Sequence, residues 1–112
     1  MLRDETIRRV IQFRDDRDWR QFHTPKYLAI SMSLEASELL ELFQWSGTEL
    51  ECAGNQEKLR EELADVLSYC ILMADVCGLD LDEIMNEKIT KNEAKYPVEK
   101  AKGSAAKYTE LT

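Results

Sequence analysis

The chain has 112 residues and a formal net charge of −7, with 44% apolar and 33% charged residues. This length suits one domain, since domains commonly run to about 100–150 residues. An acidic surface repels the phosphates of a nucleic-acid polymer, so we expect no partner of that class. No apolar run approaches the roughly 20 residues of a membrane span, and the first residues do not resemble a signal peptide. We therefore expect a cytoplasmic protein without a membrane partner.

Helical spacing of apolar residues dominates the first half of the chain. It predicts a first helix over about 4–16. A second helix is expected to begin after Thr24, which can cap its N-terminus, with Pro25 in the first helical position, where proline is favoured. Its apolar residues continue to about Trp45, where we place its end.

Two further helices are predicted after a polar loop. The third spans about 56–77, because Gly78 suits the left-handed conformation that ends helices. The fourth begins with a capping-box pattern at Asp80 and continues to about Lys95. We expect the weakly patterned tail, about 98–112, to be ordered only against a neighbour. The pattern as a whole predicts an all-α fold, a four-helix bundle completed by oligomerisation.

Four acids lie on the apolar faces of the second and third predicted helices. Glu35 and Glu38 are three residues apart, and the same spacing recurs in Glu62 and Asp65. Positions three apart share a helix face, so each pair points one way. Buried, clustered carboxylates stay ionised only if a cation compensates them, because an unpaired charge is costly to remove from water. Oxygen ligands select a hard cation, so we predict a Mg²⁺ site, with Mn²⁺ as a substitute.

Two other interpretations of these acids were weighed. A single Glu-x-x-Glu pair is usually a solvated helix face, so the metal site depends on the pairing of two such motifs within apolar arcs. On a helical wheel Glu38 falls between Leu42 and Trp45, whereas Glu41 resembles a surface acid one turn away. A di-iron centre needs Glu-x-x-His pairs, and the single histidine, His23, lies in the loop before the second helix. The di-iron interpretation is therefore excluded.

The fourth helix carries the basic strip of this acidic chain. Lys88, Asn92 and Tyr96 follow at spacings of four, and Lys91 adjoins them. Lysine ammoniums and an amide on one face suit phosphate oxygens and a sugar hydroxyl. An ordinary solvated face is the alternative, and the residues alone favour it slightly.

Three aromatic residues are candidates for stacking on a nucleobase: Trp19, Trp45 and Tyr69. Aromatic residues at helical spacing are more often part of a core. For each of the three we therefore give base stacking and core packing equal weight. We read His23 as a structural residue of its loop, with a phosphate contact as the alternative.

These residues stand in longer motifs that resemble a known family. The motifs are Arg-Asp-Trp-Arg-Gln-Phe-His-Thr-Pro at 17–25, Glu-Ala-Ser-Glu at 35–38, Glu-Leu-Phe-Gln-Trp at 41–45, Glu-Leu-Ala-Asp-Val-Leu at 62–67, and the late Lys88, Asn92 and Tyr96-Pro97. Together they are similar to the MazG-like nucleotide pyrophosphohydrolases, specifically the dCTP pyrophosphatase branch. The end of the chain, 107–111, is similar to that branch as well. The resemblance covers nearly the whole chain, which supports one domain over 1–112.

The resemblance implies an all-α fold assembled as a tetramer of two intertwined dimers. It implies hydrolysis of a nucleoside triphosphate to the monophosphate and pyrophosphate. It also implies that Mg²⁺ is bound by Glu35, Glu38, Glu62 and Asp65. The residues that it implies for the nucleotide pocket are Trp19, Trp45, Tyr69, Lys88, Asn92 and Tyr96.

We therefore predict a Mg²⁺-dependent pyrophosphohydrolase that acts on dCTP or a modified dCTP in house-cleaning of the nucleotide pool. Water attacks the α-phosphorus, with Glu38 as the first choice for the assisting base and Glu41 as the second, and Lys88 or Lys91 balances the charge of the pyrophosphate. The branch can carry a histidine on the first helix, where this chain reads Arg-Val-Ile-Gln at 9–12, so base preference stays open. The alternatives are the same chemistry on another nucleotide, such as dUTP or phosphoribosyl-ATP, and a non-catalytic helical oligomerisation module.

Overall fold

A computed structural model describes residues 2–111 of the chain. The α-helices among them are α1 (Asp4–Asp16), α2 (Pro25–Glu41), α3 (Gln56–Cys77), α4 (Leu81–Lys95) and α5 (Val98–Ala101), and short 3₁₀ helices span Arg20–Phe22, Ala53–Asn55 and Tyr108–Glu110. No strand occurs within this range, so the predicted all-α class is confirmed. None of the helices between residues 2 and 111 combines the length and the apolar composition that a membrane crossing requires.

The chain divides into two compact units, with the boundary after Gly78. The first unit contains α1, α2 and α3, and the second contains α4, α5 and the last 3₁₀ helix. The single domain expected from the sequence stays a prediction.

The helix boundaries follow from capping side chains that the sequence makes visible. The Thr24 hydroxyl accepts a hydrogen bond from the Tyr27 amide at 3.2 Å, and Pro25 begins α2. The Asp80 carboxylate accepts one from the Glu83 amide at 3.0 Å at the start of α4. Gly78 ends α3 with φ 67° and ψ 34°, a left-handed conformation that glycine adopts without steric cost. The predicted caps are confirmed.

The predicted end of α2 at Trp45 is wrong, because the helix ends at Glu41. The amides of Leu42, Phe43 and Gln44 each donate to the carbonyl three residues earlier, at 3.3, 3.0 and 3.1 Å. Such bonds tighten the backbone beyond α-helical geometry. Apolar spacing continues through this stretch, but it does not report the change in hydrogen bonding. Trp45 therefore lies beyond the helix, and the helical wheel that placed it beside Glu38 does not apply there.

The first unit is built on the packing of α2 against α3, and α1 makes a smaller contact with α3. Leu28 of α2 is only 1% exposed, and Ile71, Leu72 and Ala74 of α3 are buried with it. Burying such side chains supplies the main driving force for folding. The core thus fixes the relative position of the two helices that carry the acid pairs.

A broad apolar surface of the first unit stays uncovered. The residues concerned are Tyr27, Ile30, Leu34 and Leu40 on α2 and Leu63 and Leu67 on α3, all more than 40% exposed. The sequence suggested that these helices would be buried on more than one side, and within the single chain they are not. The apolar arcs therefore exceed what α1, α2 and α3 cover among themselves.

Substitution Leu28→Ala tests the α2–α3 core. Because the side chain is almost fully buried, its truncation leaves a cavity, and we expect a loss of about 2–5 kcal/mol in the free energy of unfolding. Urea unfolding monitored by far-ultraviolet circular dichroism measures it. The matched control is Leu50→Ala, since Leu50 is 82% exposed and the same truncation should cost little. Equal losses in the two variants would contradict this core.

Candidate metal centre and its surroundings

The packing of α2 on α3 brings the two acid pairs together. Glu35 and Glu38 lie on α2, and Glu62 and Asp65 lie on α3. One carboxylate oxygen from each of the four lies within 4.8 Å of the others. The spacing of three residues places both members of a pair on the face that meets the other helix. The four residues predicted as metal ligands thus form one cluster.

The inner part of this cluster holds carboxylate oxygens without hydrogen-bonding partners. Glu62 is 6% exposed and Glu35 is half-buried. Among the described residues, no group hydrogen-bonds to the buried Oε2 atom of either one. Lys58 Nζ lies 3.3 Å from the other oxygen, Oε1, of Glu62. Burying a carboxylate oxygen without a partner costs free energy. A cation or a hydrogen-bond donor beside these two oxygens would remove that cost.

The outer part of the cluster is open to solvent, which corrects one expectation. Glu38 and Asp65 are exposed, although the sequence analysis placed all four acids in an interior. The helical wheel assumed that α2 continues to Trp45, and the last turn of such a helix would have covered Glu38. The helix ends at Glu41, so this turn is absent. The cluster therefore has two inner ligands and two outer ones.

The proximity of like charges changes the protonation of Glu38. The main cause is Glu35, which can accept a hydrogen bond from protonated Glu38 and whose negative charge disfavours a second one. A hydrogen bond to Glu62 acts in the same direction, and together these effects raise the pKa of Glu38 to about 7. Two carboxylates that approach each other share a proton more readily than they both ionise. Near neutral pH Glu38 is thus partly protonated.

The donor set fits a hard divalent cation. All four candidate ligands are carboxylates, and the two unpartnered oxygens belong to Glu35 and Glu62. Oxygen-only sites suit Mg²⁺, Mn²⁺ and Ca²⁺, and they do not suit metals that prefer thiolate or imidazole. An acidic cluster that can bind a metal is therefore part of this fold.

The loop between the acid helices is closed by its own polar side chains. The Glu49 carboxylate accepts hydrogen bonds from the amides of Glu51 and Cys52, at 2.7 and 2.9 Å. The Gln56 side chain donates to the carbonyls of the same two residues, at 3.1 and 3.0 Å. Cys52 is buried and has a left-handed φ of 55°. These contacts fix the entry into α3 and hence the position of its acid pair.

The predicted second base, Glu41, lies elsewhere. It is exposed at the last residue of α2 and lies outside the four-carboxylate group. It lines an open cavity of about 480 Å³ together with Ser37, Leu40, Phe43 and Gln44. Glu41 is therefore not one of the four clustered carboxylates, although it follows Glu38 by only three residues.

The three predicted stacking aromatics have different surroundings. Trp19 is 44% exposed, and its ring meets Phe13 edge-on, with centroids 5.7 Å apart. Trp45 is 89% exposed in the turn that follows α2. Tyr69 is half-buried on α3, four residues after Asp65. Trp19 and Trp45 therefore retain ring surface that a ligand could cover.

The predicted phosphate-binding residues all belong to the second unit. Lys88, Lys91 and Asn92 are exposed along α4, and Tyr96 follows its end. Tyr108 makes a contact here that the sequence did not predict: it packs edge-on against Tyr96, with centroids 6.1 Å apart, and Lys95 Nζ lies 4.8 Å from the Tyr108 ring centre. The only available signal was the Lys-Tyr-Thr motif near the end of the chain, which carries no spacing that points to α4.

Two residues outside the predicted site also have unusual surroundings. Arg14 is 3% exposed and pairs with Asp75 of α3. The Nδ1 atom of His23 is buried, and no described residue hydrogen-bonds to it. Burial, followed by the charge of Arg14, lowers the pKa of His23. His23 is therefore mainly neutral at pH 7, and its structural role stays a prediction.

These features define an all-α protein with a candidate site for a hard cation between two helices. A model of the MazG-like family matches residues 30–111, and the chain belongs to that family. It is 41% identical to mouse dCTP pyrophosphatase 1 and 40% identical to the human protein of that name, with 96% of this chain aligned in both comparisons. The chain spans 66% of the length of each of these relatives, slightly less than two thirds.

A solved structure supports the fold independently. A pyrophosphatase from Archaeoglobus fulgidus matches with a TM-score of 0.77 and 40% sequence identity. The match covers 84% of this chain and 91% of the archaeal one. The resemblance to the MazG-like family that the motifs predicted is thus confirmed.

Cation binding should strengthen as the pH rises. With a pKa of about 7, the Glu38 carboxyl holds its proton in most molecules at about pH 6 and has lost it in most at about pH 8, and only the ionised form is a good ligand. We expect Mg²⁺ affinity to rise by up to about tenfold per pH unit below the pKa and to level off above it. Calorimetry in two buffers of different ionisation enthalpy measures the affinity and the protons released.

The matched variants for this measurement are Glu38→Gln and Glu61→Gln. The first removes the titrating group, so the pH dependence should flatten. The second removes an exposed acid beside Glu62 and should preserve the slope. A wild-type affinity that is constant across this pH range would contradict the assignment.

Proposed function

We propose that the chain is a Mg²⁺-dependent nucleoside triphosphate pyrophosphohydrolase that acts in the cytoplasm on dCTP or a modified dCTP. The observation that carries the proposal is the cluster of four carboxylates within 4.8 Å, two of which have buried oxygens without partners. The names of the relatives, dCTP pyrophosphatase 1 and a pyrophosphatase, support the choice of reaction and substrate.

In the proposed reaction, water breaks the bond between the α- and β-phosphates. The water oxygen bonds to the α-phosphorus, the bridging oxygen leaves with the β-phosphate, and the products are the monophosphate and pyrophosphate. The proton released by the water must pass to a base. Glu38 suits this task, because its carboxylate is exposed, belongs to the group of four acids within 4.8 Å of one another, and has a pKa raised to about 7. Glu41 is a weaker second choice, since it lies outside the cluster.

The carboxylates have separate tasks in this proposal. Glu35 and Glu62 would hold the cation from the inner side, and Glu38 and Asp65 would complete the site from the solvent side. A bound divalent cation supplies positive charge that neutralises phosphate oxygens and acidifies nearby water. Lys58 already occupies one oxygen of Glu62, which orients that carboxylate and leaves its second oxygen for the cation.

The nucleotide would be held by groups outside the acid cluster. We assign phosphate and sugar contacts to Lys88, Lys91, Asn92 and Tyr96, because ammonium, amide and phenol groups donate hydrogen bonds to such oxygens. Trp19, Trp45 and Tyr69 would contact the base. The exposed rings of Trp19 and Trp45 favour stacking, which does not distinguish one base from another. The same chemistry on dUTP is therefore the first alternative.

A panel of deoxyribo- and ribonucleoside triphosphates tests the reaction and the substrate together. With Mg²⁺ or Mn²⁺ we expect pyrophosphate and the monophosphate, the highest kcat/KM for dCTP or a modified dCTP, and no turnover after treatment with a chelator. Glu62→Gln should reduce kcat by at least about a hundredfold, because it removes an inner ligand. Phosphate and pyrophosphate assays, with nucleotide products separated by chromatography, give the result.

The control for this assay is Glu61→Gln, which neutralises the adjacent, exposed acid on the same helix. It should retain most of the activity. Release of orthophosphate alone would contradict the proposed bond cleavage, and a preference for dUTP would correct the substrate. Absence of turnover and of any stabilisation by Mg²⁺ would favour the non-catalytic oligomerisation module.

We further propose that the chain assembles into a tetramer, a dimer of dimers. The uncovered apolar residues of α2 and α3 support this, because monomeric proteins rarely expose large contiguous apolar patches. We expect a particle of about four times the 13.0 kDa chain mass by multi-angle light scattering. Leu34→Glu should shift the mass toward smaller species, whereas Leu50→Glu in the loop should not. A monomeric wild type would refute the assembly.

A further inference from the structure

An ion pair between the buried Arg14 and the partly exposed Asp75 joins α1 to α3 in the first unit. Arg14 is 3% exposed, and its Nη1 atom donates to Asp75 Oδ2 at 2.6 Å. The Nε and Nη2 atoms of Arg14 each lie 2.9 Å from Asp15 Oδ1. A buried guanidinium is tolerated only when it is paired, and here two carboxylates pair it. Arg14 and Asp75 are 61 positions apart in sequence, so their contact is a tertiary contact.

The backbone of the same arginine holds the segment that leads to Trp19. The amides of Arg17 and Trp19 both donate to the Arg14 carbonyl, each at 3.2 Å. Asp18 between them has a left-handed φ of 54°, which turns the chain sharply after α1. The position of Trp19 is therefore tied to Arg14 by a hydrogen bond across a tight turn.

The Trp19 ring has one supported edge and a free surface. It meets Phe13 edge-on at 5.7 Å and an interplanar angle of 76°, and the guanidinium of Arg17 lies 3.7 Å from the centre of the Phe13 ring. Trp19 itself remains 44% exposed. A ring that is packed on one edge and exposed elsewhere is suited to stacking, because little conformational entropy is lost when a ligand binds.

The other end of the ion pair lies on the helix that carries two of the acids. Asp75 is ten residues after Asp65 on α3, which corresponds to about 15 Å along the helix axis. Because α3 is continuous over this length, the ion pair ties α1 to the same helix that carries Glu62 and Asp65. Arg14 and Asp75 thus connect the Trp19 segment to the helix of the candidate metal centre.

We propose that Arg14 and Asp75 are positioning residues that set the place of the Trp19 ring relative to α3, and thereby nucleotide affinity. The proposal rests on the proposed function, in which Trp19 contacts the base. Neither residue touches the substrate. A purely structural ion pair would instead change the stability of the protein and leave the environment of Trp19 and the affinity for the nucleotide unchanged.

Asp75→Asn is the most suitable variant, because Asp15 still compensates the charge of Arg14. The substitution therefore weakens the link between α1 and α3 without leaving an unpaired buried guanidinium. Arg14→Lys is the second variant. It keeps the charge but loses the planar group that reaches both carboxylates, so it should weaken the link between α1 and α3 as Asp75→Asn does. Because the two variants should differ in stability, agreement between them separates positioning from a general loss of stability. Glu57→Gln, an exposed acid near the start of α3, is the control for the loss of one charge.

Fluorescence reports the position of Trp19 directly. Trp19 and Trp45 are the only tryptophans, so Trp45→Phe leaves Trp19 as the single emitter. In this background, without nucleotide, Asp75→Asn and Arg14→Lys should shift the emission to longer wavelength and increase quenching by acrylamide. Glu57→Gln should change neither. This measurement does not depend on catalysis.

Steady-state kinetics in the Trp45-containing chain supply the second measurement. For the preferred triphosphate we expect KM to rise about three- to tenfold in both variants, the range of a weakened stacking contact, with kcat within about twofold of the wild type. Unchanged emission and quenching would overturn the positioning role, as would an unchanged KM in an active enzyme. If the wild type hydrolyses no nucleotide, the proposed function fails, and the fluorescence still decides whether the ion pair positions Trp19.

Discussion

The organisation of this protein depends on a conflict between packing and charge at the contact of α2 with α3. The helices are held together by buried apolar side chains such as Leu28 and Leu72, yet the same contact gathers four carboxylates within 4.8 Å. Two of their oxygens are buried without a partner, and the pKa of Glu38 is raised to about 7. Like charges at this distance destabilise the helix pair unless a proton or a cation intervenes. A cation bound among the four carboxylates would remove this conflict.

The sequence predicted those features that depend on neighbouring residues. The start of α2 at Thr24-Pro25 and the end of α3 at Gly78 follow from capping rules that act over one turn. The pairing of Glu35 with Glu38 likewise needs only helical periodicity. The grouping of all four acids was predictable because the motif occurs twice and because the helices that carry it are unusually apolar.

The features that the sequence did not predict depend on distant contacts or on details of backbone hydrogen bonding. Nothing near Arg14 indicates that it pairs with Asp75, since 61 residues separate them. The end of α2 was misplaced because apolar spacing persists where the hydrogen bonds change to a tighter pattern. The exposure of Glu38 and Asp65 was missed for a related reason: a helical wheel shows which residues share a face, and it does not show what covers that face.

The triphosphate substrate proposed for this acidic chain poses a second electrostatic problem. The chain carries a net charge of −7, so its average field repels a polyanion. A divalent cation between the carboxylates would reverse the sign of the field locally. In the proposed function the acids would bind the cation, the cation would bind the phosphates, and the aromatic rings would contribute affinity that does not depend on charge. Positioning of Trp19 by Arg14 and Asp75 would then act on the one part of substrate binding that salt screens least.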